Sequence, residues 1–206
     1  MVTKTVEKRK IVEEAVKVIS SSEGKYNTVV TNDNGACSIG LLQWHGERAL
    51  ILMKSIAAKT AKIKLMSDLG PLLALEITNP KTSWKTRKLT VQERNKIARF
   101  ISSPIGRKVQ DEMAYNDVER YVDKAISLGI KNAGAIIYFA DAFNQYGINS
   151  KLWIALAGIA SKMVNLTVET LHQLVEKDAT LSKYLAHRKN TLTKVSNSSI
   201  SDCVVK

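Results

Sequence analysis

Cysteine and proline are scarce in this chain. Of 206 residues, two are cysteine and three are proline. Cys37 and Cys203 lie far apart, which excludes a disulfide-rich scaffold and favours free thiols in a reducing compartment. Aromatic residues account for only 6% of the chain, and no low-complexity tract is present. This is the composition of an ordinary globular protein of one domain.

Acidic residues are also few. There are 19 Asp and Glu against 31 Lys and Arg, which gives a formal net charge of +12. Such a charge attracts polyanions, and nucleic acid, anionic lipid and the bacterial cell wall all qualify. The lysines are spread over the whole chain without an RGG segment or an aromatic-flanked basic motif, so we expect no specific nucleic-acid site.

Long hydrophobic runs are missing as well. The first twenty residues, "MVTKTVEKRKIVEEAVKVIS", carry charges throughout and contain no apolar core of a secretory signal. No later run approaches the length of a membrane span. We therefore expect synthesis in the cytoplasm without a signal peptide.

The first helix is predicted to end in a glutamate. Its apolar positions recur at spacings of three and four: Val12, Ala15, Val16 and Ile19. Glu23 lies eleven residues after Val12, about three turns, and so returns to the same face. Gly24 is a natural stop for the helix. The pattern thus predicts Glu23 at the end of the buried stripe.

A small antiparallel hairpin is predicted over about 27–43. Asn34-Gly35 is the strongest short turn signal in the chain, and it separates "TVVT" from "ACSIGLLQ". Strand alternation places small or polar side chains on one face of the second run: Ala36, Ser38 and Gly40. Such a face is typical of a place where something approaches the backbone.

The rest of the chain is predicted to be helical, which gives a mainly α (α+β) fold. The predicted helices run over 46–59, 63–76, 91–103, 105–127, 132–146, 150–163, 168–177 and 180–194, with a Thr90-x-x-Glu93 capping box at the third. Residues 78–90 form a candidate loop over a groove. We expect one domain over 1–195 and a mobile tail over 196–206.

Three side chains with the chemistry of glycosidic cleavage lie close in sequence. That cleavage needs a protonated acid on the leaving oxygen and a second group that holds a water or stabilises the oxocarbenium-like centre. Burial at the end of an apolar stripe would raise the pKa of Glu23, as a general acid requires. Asp33 in the polar turn would stay ionised, and Ser38 would orient a water. The plain alternative is a surface glutamate and an ordinary Asx-rich turn.

Other catalytic schemes find less support. The three histidines, His45, His172 and His187, do not have metal-ligand spacing, and we expect no metal and no cofactor. No G-x-S-x-G, P-loop or G-x-G-x-x-G motif is present. His45 is interpreted as a helix-start or rim residue.

The segment "EGKYNTVVTNDNGACSIGLLQW" resembles the lysozyme-like superfamily of peptidoglycan hydrolases. Together with "YFADAFNQYG" and "HRKNTL", it looks like the endolysins of phages that infect Gram-positive bacteria. The strong part covers residues 23–48. There are two departures: Ser38 stands where the phage lysozymes have Thr, and Asp33 is displaced by one position within the hairpin.

The resemblance implies cleavage of the β-1,4 bond between N-acetylmuramic acid and N-acetylglucosamine. It makes Glu23 the general acid, Asp33 the base or charge stabiliser, and Ser38 the water-positioning hydroxyl. Substrate-binding residues carried over from it are Gly40, Gln43, Trp44, Asn144 and Gln145, with Trp44 as a stacking face. The implied partner is the glycan strand, reached through a holin or by virion delivery, with anionic wall polymers attracted by charge. We expect a monomer.

Three alternatives stay open. The first is a lytic transglycosylase, which needs only Glu23, or a related chitosanase. The second is an inactive wall-binding or virion structural module that keeps the fold. The third is a basic nucleic-acid-binding protein, motivated by the net charge.

Overall fold

The chain folds into two compact units. The structure, a computed structural model, describes residues 4–147, 151–160 and 166–206. Unit 1 comprises Met1–Ser22 and Tyr115–Lys206, and unit 2 comprises Glu23–Ala114. The fold is mainly helical with a small antiparallel sheet, which confirms the predicted class at that level. The single domain predicted over 1–195 is thus divided between two units.

Unit 1 is helical apart from one two-stranded parallel sheet. Its elements are β1 (Thr5–Val6), α1 (Lys8–Glu23, up to Ser22), the second half of α6 (Pro104–Ser127), α7 (Ala133–Tyr146), α8 (Lys151–Ala160), α9 (Val168–Lys177), a 3-10 helix (Leu181–Tyr184), α10 (Leu185–Ser196) and β5 (Val204–Val205). In α7 every residue from 133 to 143 is buried. The apolar run "AGAIIYFADAF" therefore forms a buried helix of unit 1, since its residues are apolar on nearly all sides.

Unit 2 holds the antiparallel sheet. Its elements are β2 (Val29–Asp33), β3 (Ala36–Ile39), β4 (Trp44–His45), α2 (Glu47–Ala58), α3 (Lys62–Leu69), α4 (Pro71–Thr78), α5 (Val91–Ile101) and the first half of α6. The strands are ordered β2-β3-β4, so β3 is central. All four residues of β3 are buried.

Most predicted helices are confirmed within one or two residues, and the Thr90–Glu93 capping box forms in both directions. The helix predicted over 63–76 is wrong as a single element. It is two helices, α3 and α4, because Pro71 has no N–H to continue the α3 ladder and instead begins a new helix. The helix predicted over 150–163 is α8 over 151–160, and positions 150 and 161–163 lie outside the described residues.

The segment predicted as a mobile tail, 196–206, is paired with other parts of unit 1. Val204 and Val205 pair in parallel with Thr5 and Val6. Cys203 is 8% exposed, and its carbonyl oxygen accepts from the N–H of Ala133 at 2.8 Å. Composition suggested a solvated tail, but the backbone hydrogen bonds of the segment are satisfied by the rest of unit 1.

Over the described part of the chain, no helix is both long and apolar enough to cross a bilayer.

Candidate active site

The end of helix α1 lies where the sequence predicts it. Its buried residues recur at helical spacing: Ile11, Val12, Ala15, Val18 and Ile19. Glu23 is its last residue and is half-buried. Glu23 is also the first residue of unit 2.

Gly24 packs tightly against the turn that follows β3. A Cβ atom at this position would lie 2.8 Å from the carbonyl oxygen of Gly40 and 3.0 Å from Nε2 of Gln43. Only glycine fits so close to a backbone oxygen. The residue next to Glu23 therefore adjoins the "GLLQ" segment, which brings three of the predicted site residues, Glu23, Gly40 and Gln43, into one neighbourhood.

The turn itself has an unusual backbone. Gly40 has φ +77° and Gln43 has φ +51°, a conformation that side-chain-bearing residues rarely adopt. The side-chain amide of Gln43 donates to the carbonyl oxygen of Gly40 at 2.8 Å. This hydrogen bond closes the turn. It also holds the Gln43 amide beside Gly24, the residue after Glu23.

Gln110 is hydrogen-bonded to this turn, and no motif in the sequence pointed to this residue. The side chain is fully buried, and its Oε1 accepts from the N–H of Leu41 at 2.8 Å. Its Nε2 donates to the carbonyl oxygens of Tyr26 at 3.1 Å and Ile101 at 2.7 Å. Gln110 lies four positions after Gly106 on the buried side of α6. A glutamine on an otherwise buried stripe was the signal in the sequence, because a buried polar side chain needs hydrogen-bond partners.

The predicted hairpin turn is confirmed. Asp33 pairs with Ala36 across a two-residue loop, Asn34-Gly35. Both loop residues have positive φ, 51° and 105°, as a type I′ turn requires.

One extra residue in β2 determines where Asp33 points. Val30 pairs with Ser38 and Asp33 pairs with Ala36, so two residues of β2 oppose only Cys37 of β3. This is a β-bulge, which shifts the alternation of β2 by one position. Because paired residues share a face, the shift places Asp33 on the face of Ser38.

Asp33 and Ser38 are bonded side chain to side chain. The Ser38 hydroxyl donates to Oδ2 of Asp33 at 2.7 Å. The Asn34 amide donates to Oδ1 at 3.1 Å. Asp33 is half-buried, whereas Ser38 is 0% exposed. The carboxylate is thus fixed in orientation, and the hydroxyl proton of Ser38 is committed to it.

His45 adds a contact that the sequence did not predict. It pairs with Ser38 between β3 and β4, and its Nε2 lies 2.8 Å from the carbonyl oxygen of Asp33. The ring is exposed. His45 is therefore an exposed residue whose ring also contacts the end of β2.

Trp44 does not offer the stacking face that the resemblance implies. Its side chain is 5% exposed, and its ring carbon Cζ3 lies 3.1 Å from the Cβ position of Gly40. The indole is part of the core beneath the turn. The approach to the backbone expected at Gly40 is thus made by Trp44 and Gln110 of the protein itself.

The segment predicted as a loop over a groove is instead anchored to its neighbours. Oε1 of Glu47 accepts from the N–H groups of Trp84 at 2.8 Å and Lys85 at 3.1 Å. Arg87 is paired to Glu76 through two nitrogens, at 2.9 Å and 3.0 Å, and also to Glu93. The net effect of burial and both partners raises the pKa of Arg87, and the hydrogen bond to Glu76 contributes most. The pairs fix the segment beside the hairpin.

That segment also extends the hairpin hydrogen bonding. The N–H of Cys37 donates to the carbonyl oxygen of Arg87 at 2.8 Å, and the N–H of Leu89 donates to Thr31 at 3.0 Å. The site hairpin is therefore supported on the side of Arg87 by a chain that ion pairs hold in place.

Asn144 and Gln145 lie on α7 in unit 1, where both are half-buried. Oε1 of Gln145 accepts from Nη2 of Arg188 at 2.8 Å. The same nitrogen lies 2.6 Å from Oδ2 of Asp141, and both Arg188 and Asp141 are 0% exposed. The segments "FADAFNQYG" and "HRKNTL" thus meet within unit 1. The role of Asn144 and Gln145 as glycan ligands stays a prediction.

Comparison with known proteins adds no family. The chain matches no protein-family model, and no curated protein matches its sequence.

Proposed function

We propose that this chain is a peptidoglycan-degrading glycoside hydrolase of the muramidase type, with Glu23 as the general acid. The observation that carries the proposal is the packing of Gly24 against Gly40 and Gln43. That contact holds the residue after Glu23 against the "GLLQ" turn, so the half-buried Glu23 adjoins a hairpin that carries a second carboxyl group of fixed orientation. Two carboxyl groups with different surroundings are what acid-catalysed glycosidic cleavage uses.

In this account Glu23 protonates the leaving oxygen of the β-1,4 bond. Asp33 stabilises the positive charge that develops on the sugar ring, and Ser38 and Asn34 hold its carboxylate in orientation. Each carboxylate oxygen accepts one hydrogen bond there and has further acceptor capacity. The role of Asp33 as a charge stabiliser is better supported than its role as a base, since its position is fixed by the turn.

The substrate follows from the same resemblance and from charge. A net charge of +12 attracts the anionic polymers of a Gram-positive wall. The glycan strand would lie along the turn at Gln43, which is half-buried. Access from the cytoplasm to the wall would require a holin, or delivery in a virion.

A lytic transglycosylase is the second candidate, and one observation favours it. Ser38 is 0% exposed, and its hydroxyl donates its hydrogen bond to Asp33, so Ser38 is poorly placed to orient an attacking water. A transglycosylase needs no such water, because the sugar's own hydroxyl closes an anhydro ring. Glu23 is the acid in both reactions.

Digestion of purified Gram-positive cell walls tests the proposal. We expect a fall in turbidity and the release of muropeptides ending in reducing N-acetylmuramic acid, seen by mass spectrometry. Products lighter by one water identify the transglycosylase. Binding to walls without product release would contradict both and favour the inactive wall-binding or virion structural module.

A further inference from the structure

Helix α4 of unit 2 is apolar on its outer side as well as its inner side. Leu73, Ala74 and Ile77 are buried. Leu72 is 83% exposed and Leu75 is 56% exposed. These two leucines are three residues apart and so lie on one side of the helix. Two adjacent leucines facing solvent indicate a surface that binds something apolar.

Two grooves border this helix, and each contains a lysine. A groove of ≈460 Å³ is lined by Lys54 and by Ile77, Thr78 and Pro80 at the end of α4. Another, of ≈300 Å³, is lined by Leu72 and Lys96 among others. The Lys96 ammonium lies 3.0 Å from the Cβ position of Gly70, just before α4 begins. Cationic groups thus lie along the edges of the leucine face.

The start of α5 lies beside this surface. Thr90 and Gln92 line the same groove as Leu72. We call Leu72 and Leu75, with Lys54 and Lys96, the α4 face.

The sequence around the α4 face is strongly basic. Between residues 54 and 96 there are ten Lys or Arg and three Asp or Glu. Each of the three acids, Asp68, Glu76 and Glu93, is ion-paired to Lys64 or Arg87. The electrostatic field of this region is therefore positive, and its complement is an anionic surface.

We propose that the α4 face binds the surface of an anionic phospholipid bilayer. Leu72 and Leu75 enter the boundary between headgroups and acyl chains, and Lys54 and Lys96 bind headgroup phosphates. Exposed apolar side chains bordered by lysines are the combination by which proteins lie on a membrane without crossing it. The inference does not depend on the proposed function.

Charge also argues for a bilayer over a second copy of the chain. A symmetric dimer through the α4 face would bring two basic regions together, and like charges across an interface oppose association. A bilayer rich in phosphatidylglycerol supplies opposite charge over the whole face.

Co-sedimentation of the full chain with vesicles tests the proposal. We expect binding to phosphatidylglycerol-rich vesicles to be at least about fivefold tighter than binding to phosphatidylcholine vesicles. The double variant Leu72→Ser, Leu75→Ser should weaken binding about tenfold. The pair Lys54→Gln, Lys96→Gln should weaken it by a similar factor, and added salt should reduce that difference.

The matched control is Ile154→Ser, which removes an exposed apolar side chain, 65% exposed, from α8 in unit 1. It should bind vesicles as the parent does, and circular dichroism should show all variants folded. Equal binding to both vesicle types, or binding unchanged by loss of both leucines, would overturn the proposal. So would a dimer in solution that the leucine variant abolishes, because the face would then be a self-association surface.

Discussion

Ser38 donates its hydroxyl proton to Oδ2 of Asp33 at 2.7 Å, across a hairpin whose first strand carries one extra residue. Without that residue, alternation would place Asp33 on the opposite face of the sheet. The one-position displacement of Asp33 that the resemblance to phage lysozymes implies is therefore compatible with a contact to the hydroxyl-bearing residue. The bulge, and not the spacing alone, brings the two side chains together.

Removing the Ser38 hydroxyl should release Asp33. In the variant Ser38→Ala, the Asp33 carboxylate loses its donor on Oδ2, and we expect muropeptide release to fall by about ten- to hundredfold through misplacement of the charge stabiliser. Ser38→Thr keeps the hydroxyl and should retain most activity. Ser67→Ala, at an exposed serine of α3, is the neutral control. Full activity in Ser38→Ala would contradict the assigned role of the pair.

Cys37 should be chemically silent in the folded protein. The residue is 0% exposed, and burial raises the pKa of its thiol to about 11, so almost no reactive thiolate forms near neutral pH. In a Cys203→Ser background, a thiol-reactive dye should label Cys37 only after denaturant is added. Rapid labelling of the native protein at pH 8 would show that the hairpin opens readily.

Arg87 should stabilise the hairpin from the side. In Arg87→Met, Glu76 and Glu93 lose their cationic partner, and we expect unit 2 to lose about 1–3 kcal/mol of unfolding free energy. Hydrogen exchange of the Cys37 N–H, which donates to the Arg87 carbonyl oxygen, should accelerate at least about fivefold in parallel. Lys88→Met, at the exposed neighbour, is the control. Unchanged exchange in Arg87→Met would show that the ion pairs are dispensable for the hairpin.

Acid should destabilise unit 1 through Asp141. Burial alone would raise the pKa of this carboxyl, but the His187 hydrogen bond, the Arg188 charge and the Thr191 hydrogen bond together hold it below its usual range. A lowered folded-state pKa gives stability that is present above about pH 4 and lost as pH falls through the folded value. Denaturant unfolding at a series of pH values from neutral to below about pH 4 measures this loss of unfolding free energy.

The substitution Asp141→Asn tests the same group at neutral pH. It leaves Arg188 buried with only neutral hydrogen-bond partners, and we expect a loss of about 3–5 kcal/mol in the unfolding free energy. Asp202→Asn, at an exposed aspartate, should change little. If the stability of Asp141→Asn fell with acid as steeply as that of the parent, another group would be responsible for the pH dependence.

Local signals in the sequence were enough to predict much of the fold. The Asn34-Gly35 turn, the capping box at Thr90 and the end of α1 at Glu23 depend on a few adjacent residues, and all three are confirmed. Long-range pairing was not predictable in this way. The parallel pairing of Val204 with Thr5 joins segments almost two hundred residues apart, and a polar composition predicted a free tail.

In the candidate site, too, the features that depend on adjacent residues were predictable and those that depend on distant packing were not. The neighbourhood of Glu23 with the "GLLQ" turn follows from sequence order, since Gly24 and the hairpin are adjacent in the chain. The bulge in β2 and the support from Gln110 depend on how other elements pack. Trp44 shows the limit most clearly, because the family resemblance implied a stacking face for a sugar, whereas packing placed the ring in the core.

Replacement of Glu23 by glutamine tests the central claim most directly. Glutamine keeps the size of the side chain but cannot donate a proton as an acid, so we expect the rate of muropeptide release from purified walls to fall at least about hundredfold. Glu13→Gln, at an exposed glutamate of the same helix, should match the parent. If Glu23→Gln released muropeptides at the parent rate while Glu13→Gln did the same, Glu23 would not be the general acid.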